Sequence, residues 1–319
     1  MAVGLLALAC GGGTATPSAA PSSASTASAA AGTLPAPELT SIRIGISAPT
    51  EPVQFAEKLA DQLGYYKEMG ITSVTVTGFE GDGKALQALV AGQLDLFVGG
   101  ASTAINTQLT DTPVKVVSMN SVLNTDGIYC KSAIKTKEDV RGKSIAISTF
   151  GGTSHGSALI AVGLMGYTSK DVVIKEVGSE GTRVAALRGG SVDCAVVGLQ
   201  QDDAMKAAGL NLIVDVTKGG QWGRSGLMAR TDFIQKNPNT VLNVVAAALR
   251  AQNYMWTNNA DAATKFTDWS QQKPADAANA VKQFLDYGLR SMLFTEEAFK
   301  APQQVLAAVN PPVATVDLK

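Results

Sequence analysis

The chain has 319 residues, of which 45% are apolar and 17% charged, and its 26 basic and 27 acidic residues give a formal net charge of −1. This balance excludes the basic footprint of a nucleic-acid-binding protein. One histidine and three cysteines exclude a His/Cys metal cluster and a disulfide-built fold. We therefore predict a globular protein of about two domains that uses no metal and no cofactor.

The first forty residues differ in composition from the rest. Ala2 to Cys10 is a short apolar run, less than half of the roughly 20 residues that a membrane-spanning helix needs, and residues 11–37 are almost all small residues or Pro. This order resembles a bacterial lipoprotein signal, although it lacks the Leu three positions before the Cys and a basic residue near the start. We predict a signal over 1–10, lipidation of Cys10 and a disordered tether over 11–40, the alternative being an ordinary export signal with a low-complexity linker.

Strands and helices alternate after the tether. The pattern predicts strands over 41–46, 74–77 and 95–98, and helices over 52–69 and 83–91. The alternation returns with strands over 144–148, 172–177 and 192–197, and helices over 153–165 and 182–188. Six residues between Gly83 and Val98 recur at an offset of 98 between Gly181 and Val196. The sequence therefore predicts two similar α/β lobes.

The last third changes to Ala-rich helical segments, predicted over 238–256, 261–269, 274–287 and 296–309. These helices have no sheet of their own to cover. We expect them to return to the first lobe and make it discontinuous.

Three segments resemble a known family, namely Glu51 to Ile71, Gly83 to Gly100 and Glu138 to Gly152. They are similar to type 2 periplasmic binding proteins, in the branch that serves ABC importers of sulfonates, taurine, nitrate and thiamine-pyrimidine precursors. The resemblance implies a two-lobed α/β fold, each lobe a mainly parallel sheet flanked by helices, hinged by two crossover strands near 124–128 and 219–227. Lobe I would comprise 41–126 plus 226–319, and lobe II would comprise 127–225.

Ligands of such sheets bind beyond the carboxyl ends of the strands. Thr149 to His155 follows a strand and opens a helix, where glycines allow close approach and free N–H groups attract an anion. Gly99 to Thr103 has the same arrangement, and a plain helix cap is the alternative in both places. The candidate ligand-binding residues are Ser47, Pro49, Thr50, Gly100, Ser102, Thr103, Asn124, Thr149, Phe150, Gly152, Thr153, Ser154, His155, Gln200, Trp222 and Arg224.

Some of these candidates have a second interpretation. Trp222 either stacks on a ligand or packs in the hinge, and Arg224 is the candidate partner of a carboxylate or sulfonate. His155 has no nearby acidic partner and Ser154 is adjacent to it in sequence, so a Ser-His hydrolase is not expected. Cys130 and Cys194 lie in strand-like segments, and the sequence does not decide between a disulfide and two buried thiols.

The resemblance implies a monomeric extracytoplasmic receptor that delivers a small-molecule solute to the transmembrane subunits of an ABC permease and meets the membrane only through a lipid anchor. We expect a small organic anion, because helix N-termini favour negative charge and basic residues are scarce. The alternatives are a neutral heterocycle, such as a pyrimidine or flavin precursor, and an enzyme of thiamine-pyrimidine or menaquinone synthesis on the same fold. An export signal argues against the enzyme, since those metabolites are cytoplasmic.

Overall fold

The computed structural model describes residues 34–110 and 114–318. The predicted signal, Cys10 and most of the tether therefore lie outside the described residues. The end of the predicted tether is ordered, because Glu38 accepts hydrogen bonds from the N–H groups of Asn239 at 3.0 Å and Thr240 at 2.7 Å, and the Asn243 amide donates to the Pro35 carbonyl at 2.8 Å.

The described chain alternates strands and helices up to residue 230 and is helical beyond it. The strands are β1 Ser41–Ile46, β2 Ser73–Gly78, β3 Leu96–Gly99, β4 Val114–Leu123, β5 Asp126–Cys130, β6 Ser144–Ile147, β7 Val173–Glu176, β8 Cys194–Gly198, β9 Asn211–Asp215 and β10 Gln221–Arg230. The helices are α1 Ala56–Gln62, α2 Tyr65–Glu68, α3 Asp82–Val90, α4 Ala101–Thr107, α5 Thr153–Leu164, α6 Glu180–Arg188, α7 Asp202–Ala207, α8 Thr231–Lys236, α9 Pro238–Thr257, α10 Asn259–Ser270, α11 Pro274–Tyr287 and α12 Glu297–Ala307.

The strands form two separate five-stranded sheets of the same design. The first sheet has the order β2-β1-β3-β10-β4 and the second has the order β7-β6-β8-β5-β9. In each sheet the first two pairings are parallel and the last two are antiparallel. The predicted α/β fold class is confirmed, with mixed sheets, and the repeated order accounts for the repeat at an offset of 98.

The chain changes sheets twice. It leaves β4 of the first sheet and enters the second at β5, and after β9 it returns through β10. Each sheet has three parallel strands, and the strand that pairs antiparallel with them is the first one after a change of sheet. This strand is β10 in the first sheet and β5 in the second. These two strands overlap the crossings near 124–128 and 219–227 that the family resemblance implied.

Both sheets are covered on two faces, so their inner strands are apolar throughout. Leu96 and Val98 face a cluster built with α1, α9, α10 and α11, whereas Phe97 between them faces α3, α4 and α12. In β8, Cys194 and Val196 pack towards α5, while Ala195 and Val197 pack towards α6 and α7. This burial on both faces is what a sheet between two helical layers requires.

The helix predicted over 52–69 is divided in the structure. Pro52–Gln54 is a short 3-10 turn, and α1 and α2 are separated at Gly64, which has a φ of 76°. A residue with positive φ cannot continue a right-handed helix, and glycine adopts this conformation without steric cost.

Cys130 and Cys194 form a disulfide that joins β5 to β8 as direct cross-strand partners. The structure thereby answers the question that the sequence left open. Among the helices of the described chain, none combines the length and apolar character needed to cross a bilayer.

Candidate functional site

A cavity of about 290 Å³ lies between the two sheets. It is bounded by the residues that follow β1, β2, β6 and β7 and by the first turns of α3, α5 and α6. Its lining comprises Ser47, Ala48, Pro49, Thr50, Glu51, Gln54, Phe79, Glu80, Gly81, Asp82, Asp126, Ser148, Thr153, Ser154, Ser179, Glu180, Gly181, Arg183 and Arg224. Both sheets contribute, so the cavity is the candidate ligand site expected at the carboxyl ends of the parallel strands.

Asp82, at the start of α3, occupies the two helix N-termini that the sequence assigned to an anionic ligand. Its Oδ2 accepts hydrogen bonds from the Gly100 N–H at 3.2 Å and the Thr153 N–H at 3.3 Å, ahead of α4 and at the start of α5. The hydroxyls of Thr103 and Thr153 donate to the same oxygen at 2.6 and 2.7 Å. A carboxylate of the protein itself therefore neutralises these N-termini and links helices that flank different sheets.

Glu180 repeats this arrangement in the second half of the chain. Its Oε2 accepts a hydrogen bond from the Gly198 N–H at 2.8 Å, as Asp82 does from Gly100, and both bonds span 18 positions. The two acidic residues are separated by 98 positions, as are the two glycines, which is the offset of the sequence repeat. The internal repeat thus places one acidic residue of each half at the cavity.

Arg224 joins the two sheets through a buried ion-pair network. It lies on β10, and its Nη2 donates to Glu51, which follows β1, and to Asp126 on β5 at 3.2 Å. The Ser157 hydroxyl donates to the second oxygen of Asp126 at 2.5 Å. All three charged side chains are less than one-tenth exposed, and a buried ion pair of this kind is stable only when its charges stay paired.

Burial shifts the titration of Glu51, Glu180 and Arg183 at the cavity. Desolvation raises the pKa of Glu51 to about 8, opposed by the positive charge of Arg224 and reinforced by Glu180 and Asp126. Desolvation also raises the pKa of Glu180, and it lowers the pKa of the neighbouring Arg183. Within the described ranges no group of three or more His, Cys, Asp or Glu side chains is placed to hold a metal ion.

Three serine hydroxyls at the cavity, those of Ser47, Ser148 and Ser154, bond to each other or to the Gln54 amide. The Ser154 Oγ accepts from the Ser148 N–H at 2.8 Å and lies 2.7 Å from the Ser148 Oγ. The Gln54 side chain bonds to the two residues that follow β1. Its Oε1 accepts a hydrogen bond from the Ala48 N–H at 2.9 Å, and its Nε2 donates to the Ser47 Oγ at 3.1 Å. These contacts fix the side chains on the cavity wall before any solute arrives.

The structure places six of the sixteen candidate residues on the cavity wall, and they are Ser47, Pro49, Thr50, Thr153, Ser154 and Arg224. Gly100, Ser102, Thr103, Thr149 and Gly152 lie where the helices of the two sheets meet and do not line the cavity. A Cβ on Gly100 would overlap the side chain of Thr153, so this close approach requires glycine. Asn124 is buried and donates to the Ser157 Oγ at 2.8 Å.

The remaining four candidates lie away from the cavity. Phe150 is 57% exposed, and its ring contacts that of His155 beside a separate depression. The His155 Nδ1 accepts from the Gly151 N–H at 3.1 Å, and burial lowers the pKa of the ring. Gln200 does not line the cavity, and its amide packs close to Gly198.

Trp222 is the clearest correction among the candidates. Its ring is 1% exposed and packs in the core of the second sheet, in contact with Gly156 of α5. The glycines beside Trp222 in the sequence are equally compatible with an exposed cleft wall. The ring instead fills a space that the absence of a side chain at Gly156 leaves free, which corresponds to the alternative of hinge packing.

Sequence reasoning identified Arg224 but missed the other charged residues of the cavity, namely Glu51, Glu80, Asp82, Asp126, Glu180 and Arg183. One signal for two of them was available. Asp82 and Glu180 directly precede the repeated Gly83 and Gly181, but a comparison of identical residues passes over an Asp matched with a Glu. Glu51 and Asp126 carried no comparable signal, because only the fold brings them to Arg224.

Comparisons with known proteins agree with this architecture. The family model described as NMT1/THI5 like matches residues 55–262. No curated protein sequence matches the chain. The alkanesulfonate-binding protein SsuA from Xanthomonas axonopodis pv. citri bound to MOPS aligns with a TM-score of 0.74 at 19% identity, covering 89% of this chain and 96% of that one.

Two further solved structures share the fold. The periplasmic aliphatic sulphonate binding protein SsuA from Escherichia coli aligns with a TM-score of 0.66 at 20% identity, covering 86% of this chain and 94% of that one. The periplasmic nitrate-binding protein NrtA from Synechocystis PCC 6803 aligns with a TM-score of 0.63 at 19% identity, covering 76% of this chain and 70% of that one. This chain therefore has the two-sheet fold of periplasmic binding proteins.

Proposed function

Because this chain belongs to the NMT1/THI5-like family, we propose that it is the extracytoplasmic solute-binding component of an ABC importer. The observation that carries the proposal is the cavity of about 290 Å³ between the two sheets, walled by residues of both. A solute that contacts both walls favours the closed arrangement of the sheets, and opening then releases it to the permease. Fatty acylation of Cys10 would hold this monomeric receptor at the membrane.

The cavity supports reversible binding more than catalysis. Its serine hydroxyls are bonded to each other, to Gln54 or, for Ser179, to the Thr182 hydroxyl, and His155 lies outside it. We therefore expect the solute to leave unchanged, rather than to be converted as in the enzyme alternative.

The sulfonate- and nitrate-binding proteins that share this fold favour an anion as the solute, and the two sulfonate-binding ones favour an organic anion. The residues of this cavity do not add support to that candidate. Asp82 already occupies the two helix N-termini, and Arg224 is paired with two carboxylates.

Native mass spectrometry of the freshly purified protein tests the proposed function. We expect a population heavier than the bare chain by one small molecule, which is released intact on denaturation. Small-angle scattering should show a smaller radius of gyration with this solute than after its removal. A protein that carries no solute and keeps the same radius with every compound offered would contradict the proposal.

A further inference from the structure

The cavity between the sheets is acidic. Four carboxylates that are more than nine-tenths buried line it, namely Glu51, Asp82, Asp126 and Glu180. Two guanidinium groups face them, those of Arg183 and Arg224, which are 5% and 3% exposed. The exposed Glu80 adds a fifth carboxylate and pairs with Lys84. With these carboxylates ionised, the enclosed space carries an excess of negative charge.

Both arginines direct donors to groups of the protein. The Arg224 Nη2 binds Glu51 and Asp126, whereas its buried Nε has no hydrogen-bond partner among the described residues. In Arg183, Nε donates to the Val196 carbonyl at 2.9 Å and Nη1 donates to the Gly178 carbonyl at 2.8 Å. An anion entering this cavity would add to the excess of negative charge, because the buried carboxylates outnumber the arginines.

The carboxylates, in contrast, retain unused acceptors. The four hydrogen bonds of Asp82 all go to Oδ2, the bond from Gly198 goes to Oε2 of Glu180, and Arg224 binds Oε2 of Glu51. Among the residues that the structure describes, no hydrogen-bond donor reaches the other oxygen of any of these three side chains. These three oxygens are not among the fully buried atoms that lack a partner, so they are accessible from the cavity that all three side chains line. A ligand that brings hydrogen-bond donors can therefore bind them.

The protonation of Glu51 responds to the same excess charge. Glu51 interacts electrostatically with Arg224 on β10, with Asp126 on β5, and with Glu180 and Arg183 on α6. Its charge also acts on Tyr287 at the end of α11. Desolvation is the main cause that raises the pKa of Glu51 to about 8. Near neutral pH a proton therefore partly supplies the positive charge that the cavity lacks.

We propose that the solute is a small organic cation whose ammonium, amidinium or guanidinium N–H groups bind the free oxygens of Glu51, Glu180 and Asp82. This inference rests on the proposed function of solute capture and specifies the charge of the solute. Charge-assisted hydrogen bonds from such a group would satisfy the unused acceptors and replace the proton on Glu51. An amidinium or guanidinium has its donors in one plane and suits two carboxylates at once.

Binding of a cation has a definite dependence on pH. The cation needs the ionised form of Glu51, so binding releases a proton, and affinity rises by up to about tenfold per pH unit below a pKa of about 8. An anion would favour the protonated form, and its affinity would fall over the same range. The sign of this dependence separates the two classes of ligand.

The experiment uses thermal unfolding and titration calorimetry with butylammonium, butyramidinium, butanesulfonate and butyramide at pH 6.5 and 8.5. We expect the two cations to raise the melting temperature, with tighter binding and proton release at pH 8.5, and the sulfonate and the neutral amide to leave it unchanged. Stabilisation by the sulfonate, by the neutral amide or only by a divalent metal ion would overturn the inference.

Two variants test the carboxylates directly. Glu180→Gln keeps the shape of the side chain and should weaken cation binding at least tenfold, and Glu51→Gln should also reduce the pH dependence, since Glu180 is the other cavity carboxyl whose pKa burial raises. The control is Glu176→Gln, since Glu176 is exposed and lies outside the cavity. Far-UV circular dichroism verifies that each variant is folded. Unchanged cation affinity in both folded cavity variants would contradict the assignment.

The charge of the co-purified solute distinguishes a failure of this inference from a failure of the proposed function. A released solute that is anionic or neutral overturns the cation and leaves the receptor function intact. A protein that binds no solute of any charge contradicts both.

Discussion

Glu57 is a carboxyl group enclosed in the core of the first sheet. Its side chain is fully buried on α1, and its polar contact is the Asn120 amide at 3.4 and 3.5 Å from its two oxygens. Burial raises the pKa of Glu57 from 4.5 to about 7. The folded protein therefore holds a proton that the unfolded chain has already lost between these values, so the free energy of unfolding falls as pH rises through this window.

The variant Glu57→Gln removes this titration. We expect its stability relative to the wild type to increase by about 3 kcal/mol from pH 4.5 to pH 8, because a shift of one pKa unit corresponds to about 1.4 kcal/mol. Urea unfolding at both pH values measures the difference, with the exposed Glu138→Gln as control. Parallel pH profiles of Glu57→Gln and wild type would show that Glu57 is ionised in the folded core.

Gly64 and Gly163 have different positions relative to the helices, because Gly64 lies between two of them and Gly163 lies inside one. Gly64 separates α1 from α2 with a φ of 76°, whereas Gly163 lies within α5. A Cβ would meet no atom within 4 Å at either position. Any difference between the two substitutions to alanine therefore reports backbone conformation and not packing.

We expect Gly64→Ala to destabilise the protein by about 1 kcal/mol, because alanine is strained at positive φ. Gly163→Ala should stabilise it by about 0.5–1 kcal/mol, because alanine loses less conformational entropy than glycine in a helix. Denaturant unfolding of the two variants gives both values. The same sign for both variants would refute the division of the predicted helix at Gly64.

At the scale of the whole molecule, the disulfide Cys130–Cys194 closes a loop with a sequence separation of 64. The loop contains the β6–α5–β7–α6 part of the second sheet. By restricting the unfolded chain, such a cross-link stabilises the fold by about 4 kcal/mol in the chain-entropy model, and by less where the native strands are distorted.

The double variant Cys130→Ala/Cys194→Ala should lower the free energy of unfolding by about 2–4 kcal/mol. Reductant should destabilise the wild type and have no effect on the double variant. Free-thiol measurement in denaturant, with Cys10 replaced by Ala, should find none in the oxidised wild-type domain. Two free thiols in that measurement would exclude the bridge.

The sequence by itself determined the two sheets and most of their elements. Strand and helix periodicities are local, so β1, α3, α5 and α11 lie where the pattern places them, and the repeat at an offset of 98 reflects two sheets of identical order. The crossings at β5 and β10 followed from the family resemblance. The sequence pattern did not predict the break at Gly64, because the apolar spacing continues through this residue although its backbone conformation ends the helix.

Only the tertiary structure decided which charges meet in the cavity. Arg224 lies 173 positions from Glu51 and 98 from Asp126, and no local pattern encodes such a contact. The sequence marked the start of α5 as favourable to an anionic ligand, but it could not show that Asp82, 71 positions away, accepts hydrogen bonds there. Electrostatic pairing depends on distance in space, and the fold alone sets that distance.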